Sequence, residues 1–211
     1  MSAAAGVALG VVGGAIRIST PFLFVSLGEC LTEKSGRVNL GLEGTLVMGA
    51  MAAYGVSYLT GSPWLGVLTA GVAGLALGAL HAFLCARPRV NDVARVRLLA
   101  TMAGGFLAGV GGSFLSLFYP GSWNEGLSSG QGLMAVALVI FARWDPLRCL
   151  AASLLFGGAS ALGPALQSVG VTSGYYLFNA APYALTLAII IATSSRDRAL
   201  TGQPAELRVA K

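Results

Sequence analysis

Three long stretches of this chain carry almost no charge. From Thr45 to Ala86 the only side chains able to ionise near neutrality are His81 and the Cys85 thiol. From Leu98 to Ala142 the only charged residue is Glu125, and from Cys149 to Ser195 there is none. A bilayer core of ~30 Å is crossed by roughly 20 helical residues. Turn signals at Gly61-Ser62-Pro63, Pro120-Gly121-Ser122 and Gly170 to Gly174 divide the stretches into pieces of about that length. The cuts predict membrane segments near 5–30, 43–60, 64–86, 98–119, 130–142, 147–166 and 176–195. The fifth is too short to cross comfortably and reads as a half-helix. The expected fold is therefore all-α: a polytopic transmembrane helical bundle of about 6–7 membrane segments, some of them broken or half-helices.

Charged residues make up only 10% of the chain, against about 25% in soluble domains whose surface faces water. The basic residues orient the bundle. Lys34 and Arg37 fall in one connection, Arg87, Arg89, Arg95 and Arg97 in another, Arg143 and Arg148 in a third, and Arg196, Arg198, Arg208 and Lys211 in the tail. These are alternate connections, so all twelve lie on one side, while 61–63, 120–129 and 167–174 hold no Lys or Arg. By the positive-inside rule the C-terminus is expected in the cytoplasm, with Glu125 outside. Only Arg17, within the first segment, is left unassigned. The net charge of +5 is then a topology signal and not a nucleic-acid surface. Residues 1–198 are expected to form one transmembrane domain and 199–211 a polar cytoplasmic tail. Only Met1 and Ser2 precede the first apolar run, with no basic region, so it reads as a retained helix and not a cleaved signal.

Few motifs carry chemistry. No GxxxxGK[ST] phosphate loop is present, so the chain is not expected to hydrolyse ATP, nor to be an enzyme. Gly158-Ala159-Ser160-Ala161 matches a GxSx nucleophile pattern. However, the one histidine, His81, precedes the serine, against the order of rhomboid proteases. A single histidine with Cys30, Cys85 and Cys149 makes neither a metal site nor a disulfide framework. Glycines four apart (Gly6 with Gly10, Gly10 with Gly14, Gly74 with Gly78, Gly105 with Gly109) let helix backbones approach closely, and are expected to pack within the chain. The stretch Glu33-Lys34-Ser35-Gly36-Arg37-Val38-Asn39-Leu40-Gly41-Leu42-Glu43-Gly44 leads straight into apolar sequence. Its glycines allow an interrupted helix lining a wet cavity. They equally allow an ordinary turn, with Glu43 complementing the dipole in the next helix's first turn.

Thr20-Pro21-Phe22-Leu23, Leu27-Gly28-Glu29 and Ser35-Gly36-Arg37-Val38-Asn39-Leu40-Gly41-Leu42-Glu43-Gly44 resemble the opening signature of ABC-importer permeases for nucleosides and simple sugars, relatives of the ribose-type and branched-chain permeases. Glu125-Gly126-Leu127-Ser128-Ser129-Gly130-Gln131-Gly132, the run Ala135 to Trp144, and Ala181-Pro182-Tyr183 resemble later family segments. The resemblance implies a permease subunit in the bacterial inner membrane, paired with a second permease in a homo- or heterodimer. It also implies a periplasmic or lipoprotein substrate-binding protein and an ATPase subunit that consumes the ATP; no cofactor is expected in this chain. Asn39 and Glu43 are then candidate cavity or gate residues, and Glu125 and Gln131 lie near the external mouth. Arg95, Arg97, Arg143 and Arg148 are candidates for weak ATPase docking. One departure stands out: Asp92-Val93-Ala94 runs straight into Arg95-Val96-Arg97-Leu98-Leu99, where the family continues through a helical hairpin into its coupling segment. An alternative is thus a shortened, coupling-deficient relative. A stand-alone secondary transporter or channel would need deep charges for coupling ions, and only Arg17 is placed to be one.

Overall fold

The computed structural model describes residues 3–85, 92–118, 121–171, 173–193 and 204–208. Every regular element among them is helical: α1 (Ala3–Lys34), α2 (Leu42–Thr60), α3 (Pro63–Leu84), α4 (Asp92–Ser113), α5 (Gln131–Phe141), α6 (Pro146–Ser168), α7 (Tyr175–Asn179), α8 (Ala181–Thr193) and α9 (Ala205–Arg208). A single π-helical turn, Phe114–Phe118, continues α4.

The turn signals work through capping. Gly61 ends α2 in the left-handed region (φ 71°), where a residue with a Cβ is strained. Ser62 then caps α3 by accepting from the Leu65 amide at 3.4 Å, with Pro63 at the first helical position. Asp145 does the same for α6, accepting from Leu147 and Arg148 amides at 2.9 and 3.3 Å ahead of Pro146.

Among the described residues, four helices are long and apolar enough to cross a membrane: Ala8–Lys34, Pro63–Leu84, Val93–Phe118 and Pro146–Ser168. Helix α2 has 19 residues, about 28 Å, and carries Glu43 in its first turn. Helix α5 has 11 residues, about 16 Å, half a bilayer core. The segment expected at 176–195 is broken at Ala180 into α7 and α8. The basic residues Arg87, Arg89, Arg196, Arg198 and Lys211 lie outside the described residues.

Glycine pairing sets the packing. Helix α4 runs antiparallel to α3, with Gly74 against Gly105 and Gly78 against Thr101; a Cβ at Gly74 would lie 2.1 Å from the Gly105 carbonyl oxygen. The same helix meets α1 where Gly28 faces Gly104, and α2 where Gly49 faces Gly109. Helix α6 lies antiparallel to α1, with Ala161 and Ala165 against Gly14 and Gly10. The four-residue glycine pairs are therefore used inside this chain. Adding a β-carbon at Gly105 forces α3 and α4 apart, so Gly105→Ala should destabilise by about 1–3 kcal/mol, read as a lowered melting temperature in detergent. Gly55→Ala, whose Cβ would meet nothing within 4 Å, should leave stability level or raise it by up to ~1 kcal/mol.

The described basic clusters gather at one end of the bundle. Arg37 donates to the Ala82 carbonyl at 3.0 Å, tying the α1–α2 connection to the end of α3. Trp144, in the α5–α6 turn, packs with Cys30 and Cys149, and Leu207 of α9 rests on that cluster. Lys34, Arg37, Arg95, Arg97, Arg143 and Arg148 thus share this basic end.

Candidate functional site

After α1 the chain does not stay at the basic end. Gly36 (φ 86°) turns it back inward. The Asn39 amide then donates to Glu29 Oε1 at 2.7 Å, and Asn39 Oδ1 accepts from the Gly41 amide at 3.0 Å. Helix α2 therefore starts inside the bundle, and Glu43 stands in its first turn. The carboxylate serves a different helix. Glu43 Oε1 accepts from Ser128 Oγ at 2.5 Å and the Gly130 amide at 2.8 Å, and Oε2 accepts from the Gly132 amide at 2.7 Å. The two amides belong to the N-cap and first turn of α5, whose own cap, Gly130, has no side chain to satisfy them. The negative charge also sits at the positive end of the α5 dipole. Gly132 must be glycine here, because a Cβ would lie 2.5 Å from the Glu43 nitrogen.

Helix α5 runs from this clamp to the basic end, where Trp144 Nε1 donates to Glu33 Oε2. Its length places the clamp about 16 Å from that end. It is a half-helix with its N-terminus inside the bundle. Beside that N-terminus lies a cavity of about 230 Å³, with Arg17 and Phe22 of α1, Phe114 of the π-helical turn, Ser129 and Gln131 at the start of α5, Ser160 of α6 and Tyr183 of α8 on its walls. The Arg17 guanidinium stands 5.6 Å from the Phe118 ring centre, within cation–π range. Gln131 Oε1 is buried and accepts no hydrogen bond from the described residues. Ser129 holds a left-handed backbone (φ 46°), and π-helical turns and such strained residues concentrate at functional sites.

The residues singled out in the sequence fall into separate places. Asn39 and Glu43 are joined through the 39–43 turn, and Glu43 reaches Gln131's helix. Glu125 is exposed, in the segment leading to α5. Arg95 and Arg97 lie on the first turns of α4, Arg95 exposed and Arg97 half-buried; Arg143 is half-buried (φ 53°), and Arg148 is exposed, 3.8 Å from Asp145. Three participants carried no assignment from sequence: Glu29 and Glu33, 0% and 1% exposed, and Trp144. Their signal was the four-residue spacing of two carboxylates on one helix face ahead of Lys34. The same spacing suits an exposed cytoplasmic turn, so it gave no direction. Ser160 is one of the residues on the cavity wall, together with Arg17 and Tyr183.

An all-helical bundle with membrane-length helices, a half-helix ending inside it and, at that end, a largely apolar cavity carrying a few polar side chains is the build of a multi-pass membrane transport protein. The chain belongs to the family described as branched-chain amino acid transport system / permease component, whose model matches residues 11–96 and 92–194. It is 25% identical over 262 positions to the putative glucose ABC transporter permease protein TsgC13 of Haloferax volcanii, covering 78% of this chain and 80% of that one. It is 29% identical over 135 positions to the nucleoside ABC transporter permease protein NupC of Lactococcus lactis, covering 56% and 41%. To the guanosine ABC transporter permease protein NupQ of Bacillus subtilis it is 31% identical over 99 positions, covering 46% and 31%. The chain thus spans under half the length of these last two. No solved structure matches it.

The alignment to TsgC13 also contains a gap. The 78% of this chain that aligns is about 165 residues, spread over 262 positions, so close to 100 positions face no residue here. The two family matches meet at residues 92–96, the junction that the sequence singles out.

Proposed function

We propose that this chain is the membrane-spanning permease subunit of an ABC importer for a nucleoside or a simple sugar. The Glu43 clamp on the inner end of α5 carries this reading. Half-helix termini held inside a bundle are where transporters build solute sites, and relatives named for glucose, nucleoside and guanosine support the solute classes. In this reading α1, α2, α3, α4 and α6 cross the membrane, α7–α8 form a broken crossing and α5 a half-crossing, six to seven segments in all. Asn39 and Glu43 hold the gate geometry, Gln131 faces the solute path and Glu125 stands at its outer mouth. The permease makes no covalent bond; its work is differential stabilisation of inward- and outward-open packings. A substrate-binding protein delivers the solute, a second permease completes the path, and a partner ATPase supplies ATP hydrolysis.

The basic end faces the cytoplasm of a bacterial cell, by the positive-inside rule. Cysteines introduced at residues 145 and 205 of a cysteine-free chain should react only after membrane permeabilisation, and those at 62 and 125 without it. Residues 62 and 145 reacting from the same face would contradict the orientation.

Transport itself is tested in cells. Deleting the chain should abolish uptake of labelled guanosine or of labelled glucose, and restoring it in trans should recover that uptake. Unchanged uptake of both, with the chain's membrane expression verified in the parent strain, would contradict the reading.

The junction supports a second reading, a coupling-deficient permease. Only seven residues separate Leu84 from Asp92, and the two family matches meet just beyond them. The basic-end residues Arg95, Arg97, Arg143 and Arg148 are then the remaining surface for an ATPase to meet.

A further inference from the structure

Two carboxyl groups at the basic end have no part in the site described so far. Glu29 and Glu33 lie one turn apart on the buried face of α1, and their side chains hydrogen-bond to each other. Each also holds a different part of the chain. Glu29 Oε1 accepts from the Asn39 amide, in the turn that leads into α2. Glu33 Oε2 accepts from Trp144 Nε1, in the turn between α5 and α6. The second oxygen of Glu29, Oε2, is buried and receives no hydrogen from any N–H or hydroxyl among the described residues.

The surrounding charges do not neutralise the pair. On α1, Lys34 is exposed, and Cys30 gives its thiol hydrogen to the Trp144 carbonyl at 3.2 Å. Arg37 donates to the Ala82 carbonyl instead. From the α6 side come Asp145, which caps its own helix, and the Cys149 thiol; α4 brings Arg97, half-buried. No ion pair among the described residues reaches either carboxyl group. An ionised carboxylate only accepts, so two carboxyl groups bond to each other only when one is protonated. Like charges sharing a buried site cannot both ionise without a cation beside them. We propose that Glu29 and Glu33 bind one proton between them, and that this proton latches the basic end, fixing the start of α2 through Asn39 and the α5–α6 turn through Trp144. When the proton leaves to water, two carboxylates remain in contact, repel, and release the latch. The proposal stands independently of the permease reading.

Glutamine tests it, because glutamine has the shape of a protonated glutamate and carries a permanent N–H donor. In Glu29→Gln the side-chain carbonyl still accepts from Asn39 while the amide donates to Glu33. The full chain is studied in detergent with Cys85→Ser, which removes the exposed thiol. At neutral pH the infrared difference between this chain and its Glu29→Gln variant should contain the carbonyl band of a protonated carboxylic acid. A folded chain that keeps a proton which an unfolded glutamate gives up at neutral pH loses stability as pH rises. The melting temperature should therefore fall from neutral to alkaline pH more steeply than that of Glu29→Gln. Cys30 and Cys149, buried against Trp144, should react with a maleimide several-fold faster than in the variant at the same alkaline pH, and equally slowly at neutral pH. Comparison at one pH cancels the titration of the thiols themselves. If Glu29→Gln does not fold, Glu33→Gln is read in the same way, its carbonyl accepting from Trp144 while its amide donates to Glu29. No acid band at neutral pH, the same pH dependence with and without the glutamine, or failure of both variants to fold would overturn the proposal.

Discussion

Replacing Glu43 with alanine should loosen the start of α5 and abolish transport while leaving membrane insertion intact. The carboxylate accepts three hydrogen bonds from the 128–132 segment. Hydrogen bonds to a charged group contribute about 1.5–3 kcal/mol each, and they are not additive, so a loss of roughly 3 kcal/mol or more is expected. A residue that merely complements the α2 dipole would contribute only ~0.3–1 kcal/mol. Thermal unfolding in detergent separates the two. Glu43→Gln should not rescue, because its NH₂ group would face one of the amide donors it ought to accept from. An alanine variant with a near-native melting temperature and normal uptake would show that α5 holds its position without the clamp.

The other large effect concerns coupling. Expressed with an ATPase and a binding protein but no second kind of permease, this chain should insert, retain the ATPase poorly in a pull-down, and give no ATP-driven uptake. An ATPase shifts a permease only through contacts that differ between its states. The seven residues between α3 and α4 are too few for a docking helix flanked by turns. A sister permease carrying the longer segment should restore both retention and uptake. Full retention and uptake without it would move the docking surface to Arg143-Trp144-Asp145-Pro146-Leu147-Arg148, which lies at the basic end.

What the sequence made legible follows from range. The Gly61-Ser62-Pro63 and Asp145-Pro146 signals are local capping chemistry, and α3 and α6 begin where they point. The short uncharged piece at 130–142 is α5, at 131–141. The break at Ala180 is marked in sequence only by Asn179 and Pro182 on either side of it, inside a run from Tyr175 to Thr193 that is otherwise apolar enough to read as one segment. Glu43 was visible as a first-turn carboxylate, but its partners lie 85 to 89 residues away, beyond any spacing rule. Arg17 stood out as a charge in an apolar segment. Its cavity did not, since the walls come from α1, the π-helical turn, α5, α6 and α8. Glu29 and Glu33 were hidden by their neighbours: beside Lys34 and Arg37 they look like solvated charges. They are buried because the chain folds back over them at Asn39 and Trp144 closes the end.

The permease claim is tested most directly by reconstitution. Proteoliposomes containing the ATPase and a full-length sister permease are prepared with and without this chain, loaded with ATP, and given the binding protein with labelled guanosine or glucose. ATP-dependent accumulation of one of these solutes should occur with the chain and disappear when it is omitted. Equal accumulation with and without it, or none of either solute in a complex that contains all the subunits and hydrolyses ATP, would contradict the claim.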